Sequence, residues 1–270
     1  MDLRSKVVLL TGAAAGIGRA CALEYAKRGA RLLITDVDSD GLAQTRRLVG
    51  EHGVEAFTIE ADLSDLSAVD RLAGEALDHA GRVDVLHNNA GVMVASQIIQ
   101  LDWPDYHFQA SVNLWAPLRL VHHLLPAMLE RGSGHLAFTA SLNGLVTAPG
   151  TAAYGLTKAG LLAWCEALRA EIRGRGVGVT VVCPGFVRTE LFERGGVRDE
   201  RFLETVRGAP HFIGLKPEKV ARISVRSIER GRPVVYLGWE RATLWLKHLS
   251  VRAYDTYNGL LARATLDLDR

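Results

Sequence analysis

The stretch Lys6-Val7-Val8-Leu9-Leu10-Thr11-Gly12-Ala13-Ala14-Ala15-Gly16-Ile17-Gly18 decides the fold. An apolar run of strand type passes directly into a turn with the spacing G-x-x-x-G-x-G, and that turn opens a segment of helical periodicity. The physical use of such a turn is anion binding. Without side chains at Gly12, Gly16 and Gly18 the backbone can approach a pyrophosphate, whose charge is met by backbone amides and by the positive end of the following helix. Ala14, Ala15 and Ile17 complete the same turn.

Working outward, six more runs rich in Val, Ile and Leu follow, beginning at Arg31, Val54, Val83, Gly134, Gly178 and Pro233. Segments with helix-like spacing separate them, beginning near Ile17, Ser39, Leu66, Trp103, Ala152 and Pro217. This alternation predicts βαβ units in an α/β fold: one Rossmann-type, doubly wound parallel sheet of about seven strands with helices on both faces. No linker or change of composition divides the chain. Residues 1–238 are read as one dinucleotide-binding catalytic domain, with a charged, glycine-containing stretch at about 190–210 as a lid over the site. Residues 239–270 are read as a helical extension with one apolar face, packed on the domain, on a partner subunit or on a membrane surface, with a wall of the substrate site as the remaining reading.

Composition excludes several classes of function. The chain has 270 residues, 48% hydrophobic and 23% charged, and its net charge is only +2, so neither a disordered polyelectrolyte nor a dedicated nucleic-acid binder is expected. Cys21, Cys165 and Cys183 lie far apart with no C-x-x-C spacing, which points to a reducing, cytoplasmic setting rather than to disulfides or zinc. His122 and His123 are adjacent and cannot serve one metal from a single helix face, so no metal site is expected. No stretch reaches the roughly 18 uninterrupted apolar residues of a membrane span.

The second strand ends at Asp36, where a carboxylate can accept hydrogen bonds from an adenosine ribose and would repel a 2′-phosphate. Val37 follows, and neither it nor Ala15 supplies a cation for that phosphate. NAD is therefore favoured over NADP. In the helix after the fifth strand, Tyr154 and Lys158 are four residues apart and share a face. A free phenol, with a pKa near 10, is a poor base at neutral pH. A nearby ammonium, helped by an oxidised nicotinamide, would stabilise the phenolate and make Tyr154 a usable general acid or base. Ser141, just past the fifth strand, can bind the same substrate oxygen.

Taken with Asn88-Asn89-Ala90-Gly91, Asn113 and Pro184-Gly185, these motifs resemble the short-chain dehydrogenase/reductase family in order and spacing, from about Lys6 to Gly238. The resemblance implies a CH–OH oxidoreductase with the tetrad Asn113, Ser141, Tyr154 and Lys158. Ser141 would position the substrate oxygen and Tyr154 would pass the proton. Lys158 would hold the nicotinamide ribose and depress the tyrosine pKa, and Asn113 would anchor a water of the proton relay. It also implies that Asp62 and Leu63 meet the adenine, that Asn89, Ala90 and Gly91 line the adenosine and ribose side, and that Pro184, Gly185, Val187 and Thr189 hold the nicotinamide.

In that family the segments around Met93, Leu142, Leu145, Val146, Phe186, Leu191 and Phe192 border the substrate, which implies an apolar pocket with one polar catalytic corner. The expectation is an NAD-dependent enzyme interconverting an alcohol and a ketone or aldehyde on a lipophilic steroid, retinoid, fatty or aryl substrate. The alternatives are an NADPH-type ketoreductase of carrier- or CoA-linked acyl chains and a catalytically silent dinucleotide sensor. A homodimer or homotetramer is expected from the family. Peripheral membrane contact through the extension is a further reading, from its aromatic residues and flanking Arg and Lys.

Overall fold

The computed structural model describes residues 1–189, 191, 202, 204 and 214–266. The lid read at 190–210 lies outside the described residues except at 191, 202 and 204, and Phe192 lies outside them too.

Among the described residues seven strands form one parallel sheet in the order β3-β2-β1-β4-β5-β6-β7. They are β1 (Val7–Thr11), β2 (Arg31–Asp36), β3 (Ala56–Glu60), β4 (Val85–Asn88), β5 (Gly134–Thr139), β6 (Val177–Pro184) and β7 (Val234–Leu237). Alternation along β1 shows why these apolar runs become central strands. Val7 and Leu9 enter one core and Val8 and Leu10 the other, so both faces of the sheet are covered by helices. The strand order reverses between β1 and β4. There the outgoing helices diverge to opposite faces and leave a crevice beyond the carboxyl ends of the strands.

Helices α1 (Gly16–Ala26), α2 (Ser39–Gly50) and α3 (Leu66–Ala80) follow the first three strands. Asp38 caps α2 through the N–H of Gly41 and Asp65 caps α3 through that of Ser67. The segment predicted to start at Trp103 is not one continuous α-helix. It comprises α4 (Trp103–Ala110), a π-helical turn (Ser111–Trp115) and α5 (Ala116–Glu130), and the π turn carries Asn113. Helix α6 (Ala152–Glu171) carries Tyr154 and Lys158, and α7 (Pro217–Glu229) packs against α1.

The extension is two helices rather than one: α8 (Arg241–Leu249) and α9 (Val251–Thr265). Ser250 breaks them apart with an extended backbone and caps α9 by accepting the N–H of Ala253. Among the described residues no helix is long and apolar enough to cross a membrane.

Candidate active site

A cleft of about 910 Å³ opens at the carboxyl end of the sheet. One end is built by the glycine turn. Two positions have no room for a side chain: a Cβ on Gly12 would lie 2.7 Å from Ala90 Cα, and one on Gly18 only 1.8 Å from the Gly12 carbonyl oxygen. Helix α1 then starts at Gly16 with Ala15 ahead of it, no side-chain cap and no acidic residue in its first turn. Its leading N–H groups face the cleft without a side-chain acceptor, which fits a pyrophosphate.

Asp36 is buried at the cleft wall and accepts from the N–H groups of Ala14 (3.0 Å), Val37 (2.9 Å) and Asp38 (3.2 Å). It thereby ties β2 to the glycine turn. Ala14 itself lies off the cleft, fully buried, its N–H directed at Asp36. Gly12, Ala15, Gly16, Ile17, Gly18, Asp36, Val37, Asp62, Leu63, Asn89, Ala90 and Gly91 all line this end of the cleft.

Asn89 is set by a chain of buried hydrogen bonds whose direction can be worked out. Its Nδ2 donates to the carbonyls of Thr11 (3.1 Å) and Gly12 (3.3 Å), so its Oδ1 is left to accept from the Thr139 hydroxyl at 3.1 Å. Thr139 must then accept from Nε2–H of His87 (3.3 Å), and Nδ1 of His87 accepts from the Tyr25 hydroxyl at 3.1 Å. Burial holds the His87 pKa down to about 3, which keeps the imidazole neutral, as this arrangement requires.

The other end of the cleft gathers Ser141, Tyr154 and Lys158, all buried, with Pro184, Gly185, Val187 and Thr189 alongside. Ser141 follows β5, where its hydroxyl oxygen accepts from the N–H of Asn143 at 3.1 Å and its hydroxyl lies 3.4 Å from the Pro184 carbonyl. Lys158 Nζ donates to the Thr139 carbonyl at 3.0 Å and lies 5.6 Å from the centre of the Tyr154 ring.

Burial dominates the electrostatics of this corner. Burial pushes Tyr154 up to about 12 and is only partly opposed by the Ser141 hydroxyl. Burial also brings Lys158 down to about 8. Desolvation penalises whichever form is charged, so it moves the two pKa values in opposite directions.

Asn113 does not line the cleft. It is fully buried, pairs with both the N–H (2.9 Å) and the carbonyl (2.8 Å) of Val92, and donates to the Thr157 hydroxyl at 3.1 Å. It stands directly behind Gly91, where an added Cβ would lie 3.3 Å from Asn113 Oδ1 and 3.4 Å from Lys158 Nζ. Of the residues expected around the substrate, Met93, Leu142, Val146, Phe186 and Leu191 line the cleft. Leu145 does not: its side chain packs on the main core, and its carbonyl accepts from Lys247 at 2.7 Å.

Residues 6–197 match the family described as short chain dehydrogenase. The chain belongs to the short-chain dehydrogenases. It is accordingly an oxidoreductase of the class acting on CH–OH groups. Over 72% of the chain and 71% of the relative, it is 38% identical to 1-deoxy-11-beta-hydroxypentalenate dehydrogenase of Streptomyces exfoliatus. Over 84% of the chain and 76% of the relative, it is 36% identical to ketoacyl reductase HetN of Nostoc. Among solved structures, a short chain dehydrogenase/reductase from Burkholderia phymatum in complex with NAD superimposes with a TM-score of 0.84 at 27% identity. That likeness covers 93% of this chain and 96% of the other. A short-chain dehydrogenase from Streptomyces avermitilis gives 0.80 at 31% identity over 98% and 100% of the two chains.

One wall of this dehydrogenase's cleft comes from the extension, which agrees with the reading of that segment as a wall of the substrate site. Trp239, Glu240, Thr243, Tyr254, Tyr257, Asn258 and Leu261 line it from the extension. Tyr254, Asn258 and Leu261 recur at the i, i+4, i+7 spacing of one helix face. A polar Asn258 within that apolar stripe was the available signal. Glu240 anchors the wall at the catalytic end, its Oε1 accepting from the Phe186 N–H at 2.8 Å.

Proposed function

We propose that this short-chain dehydrogenase interconverts a lipophilic alcohol with its ketone or aldehyde, using NAD in preference to NADP. One observation carries the reading. Ser141, Tyr154 and Lys158 converge on a cleft whose far end is the glycine turn with Asp36, while the walls between are apolar at Met93, Leu142, Val146, Phe186 and Leu191. Asp36 at the wall, followed by Val37, supports NAD, because a 2′-phosphate would meet a carboxylate there.

A bound oxidised nicotinamide would supply the hydride acceptor and a positive charge that favours the phenolate. The Ser141 hydroxyl holds the substrate oxygen, and Tyr154 Oη takes its proton. Lys158, held by the Thr139 carbonyl, lies where its ammonium favours the phenolate and where it can hold ribose hydroxyls. Asn113, hydrogen-bonded to the Val92 backbone and to Thr157, fixes the segment that follows Gly91 and anchors the water of the proton relay. Pro184, Gly185, Val187 and Thr189 border the nicotinamide end.

Among the described cleft residues Lys158 is the only Lys or Arg. That argues against carrier- or CoA-linked acyl substrates, whose phosphates call for cations, and the intact Ser141, Tyr154 and Lys158 argue against a silent sensor. Exposed Trp103, Trp115 and Leu156 on the α4–α6 side support self-association as a dimer or tetramer. Exposed Trp245, Leu249, Val251 and Leu260, with Arg241 and Arg252 on the same helices, support peripheral contact with an anionic membrane surface. Three buried free thiols, Cys21, Cys165 and Cys183, support a reducing, cytoplasmic setting.

The test is a dinucleotide-coupled screen of alcohols graded by size and polarity, run with NAD and with NADP. Turnover of apolar secondary alcohols with NAD is expected. A preference for NADP, or turnover of small polar sugars alone, overturns the cofactor or the substrate reading respectively.

A further inference from the structure

We propose that Asn258 reads a second oxygen function on the substrate, a neutral hydroxyl, ketone or ester at the end remote from the reacting alcohol. The inference rests on the alcohol dehydrogenase reading above and deepens it. Asn258 lines the cleft that holds Ser141 and Tyr154, although it lies more than 100 residues along the chain from both.

The α9 face is fastened to the segment that follows Ser141, so Asn258 has a defined place relative to the catalytic corner. The Tyr254 hydroxyl donates to the Thr147 carbonyl at 3.4 Å. Lys247 donates to the Leu145 carbonyl at 2.7 Å and stands 5.7 Å from the centre of the Tyr254 ring.

Asn258 is half-buried, and its side-chain amide hydrogen-bonds no described residue. Its neighbours on that face, Tyr254 and Leu261, are largely apolar. A carboxamide in such a setting offers two donors and one acceptor, and desolvating it without a partner is unfavourable. A substrate oxygen that satisfies the amide removes that penalty. The same oxygen also finds there a neutral donor and acceptor that Met93, Leu142, Val146, Phe186 and Leu191 cannot supply.

Charge decides which oxygen. The one described cleft cation, Lys158, lies at the catalytic corner and donates to Thr139. A carboxylate at the Asn258 end would be desolvated with no counter-charge among the described residues, whereas a ketone, hydroxyl or ester needs only the amide. The substrate class is a neutral, mainly hydrocarbon molecule oxygenated at both ends.

The test uses the purified full-length enzyme and three alcohols on one hydrocarbon skeleton, bearing hydrogen, a ketone or a carboxylate at the remote end. Wild type is expected to favour the keto-alcohol over the deoxy-alcohol about tenfold in kcat/KM, the worth of one well-made neutral hydrogen bond. It should use the carboxylate least. In Asn258→Leu the keto-to-deoxy ratio should fall toward one. In Asn258→Asp, which presents only acceptors, the ratio should drop below one. Equal use of the keto and deoxy alcohols by wild type, best use of the carboxylate, or an unchanged ratio in Asn258→Leu overturns the proposal. If wild type binds NADH yet oxidises none of the three, the alcohol reading itself falls.

Discussion

Lys158 Nζ donates to the carbonyl of Thr139, 3.0 Å away, and this bond anchors the catalytic corner to the end of β5. The ammonium is buried, and desolvation brings its pKa from 10.5 to about 8. The unfolded chain then holds this proton up to a higher pH than the folded one. Between about pH 8 and 10.5 the unfolded state binds more protons, so stability from this group rises with pH across that window. Wild type should therefore gain on Lys158→Met by up to about 1.4 kcal/mol per pH unit within it. Urea unfolding at pH 7.5, 8.5 and 9.5 measures the difference, and a pH-independent gap would show that Lys158 keeps its ordinary pKa.

Tyr154 is pushed up to about 12 by its burial, so in the dinucleotide-free protein its phenol should ionise later than free tyrosine. Tyr154→Phe removes the proton-transfer atom and leaves the ring packing in place. We expect kcat/KM for the alcohol to fall by about 10²–10⁴, with NADH affinity and the melting temperature nearly unchanged. Stopped-flow assays beside fluorescence titration separate these quantities. Retained turnover would remove Tyr154 from the mechanism.

Asp36 serves three backbone N–H groups as well as facing the cleft. Asp36→Ala leaves those donors without their charged acceptor, at a cost of about 1–3 kcal/mol. The same change removes the charge that repels a 2′-phosphate. Thermal melting should show the destabilisation, and NADH against NADPH titration should show the preference moving toward NADPH. Were the melting point to fall with the ratio constant, Asp36 would be a bracing residue with no part in cofactor choice.

His87 and His135 are buried, with pKa values brought down from 6.5 to about 3 and about 4. Both are neutral in the folded chain, while the unfolded chain protonates them near 6.5. Stability from these groups is thus full above pH 6.5 and is lost as the pH falls from there toward the folded values. Its slope approaches about 1.4 kcal/mol per pH unit for each imidazole. Urea midpoints at pH 7.5, 6.5 and 5.5 should fall slightly over the first interval and more steeply over the second. Level midpoints throughout would mean that water reaches these rings.

Much of the architecture could be read before the fold was seen, because the signals are local. The apolar runs from Lys6, Arg31 and Gly134 become β1, β2 and β5, and the segments from Ser39, Leu66 and Pro217 become helices that start at those residues. Alternation in strands and the i, i+4 rule in helices are properties of neighbouring residues. The π turn at Asn113 was not legible, because Ser111–Trp115 has the composition of an ordinary helix. The split at Ser250 was missed for a different reason: α8 and α9 are both amphipathic, and a single capping serine between them is all that marks the break.

The sequence by itself determined the succession of βα units, the glycine turn, the carboxylate at the end of β2 and the one-turn spacing of Tyr154 and Lys158. Tertiary structure decided which of these groups meet. It placed Asn113 behind Gly91, packed Leu145 against the core, and buried Tyr154 and Lys158 together, because burial is set by everything packed around a group. It also brought α9 to the cleft, through the bonds Lys247 to Leu145 and Tyr254 to Thr147 that span 102 and 107 residues. Local pattern carries no information about contacts at that separation, which depend on how two helices and a loop fill space together.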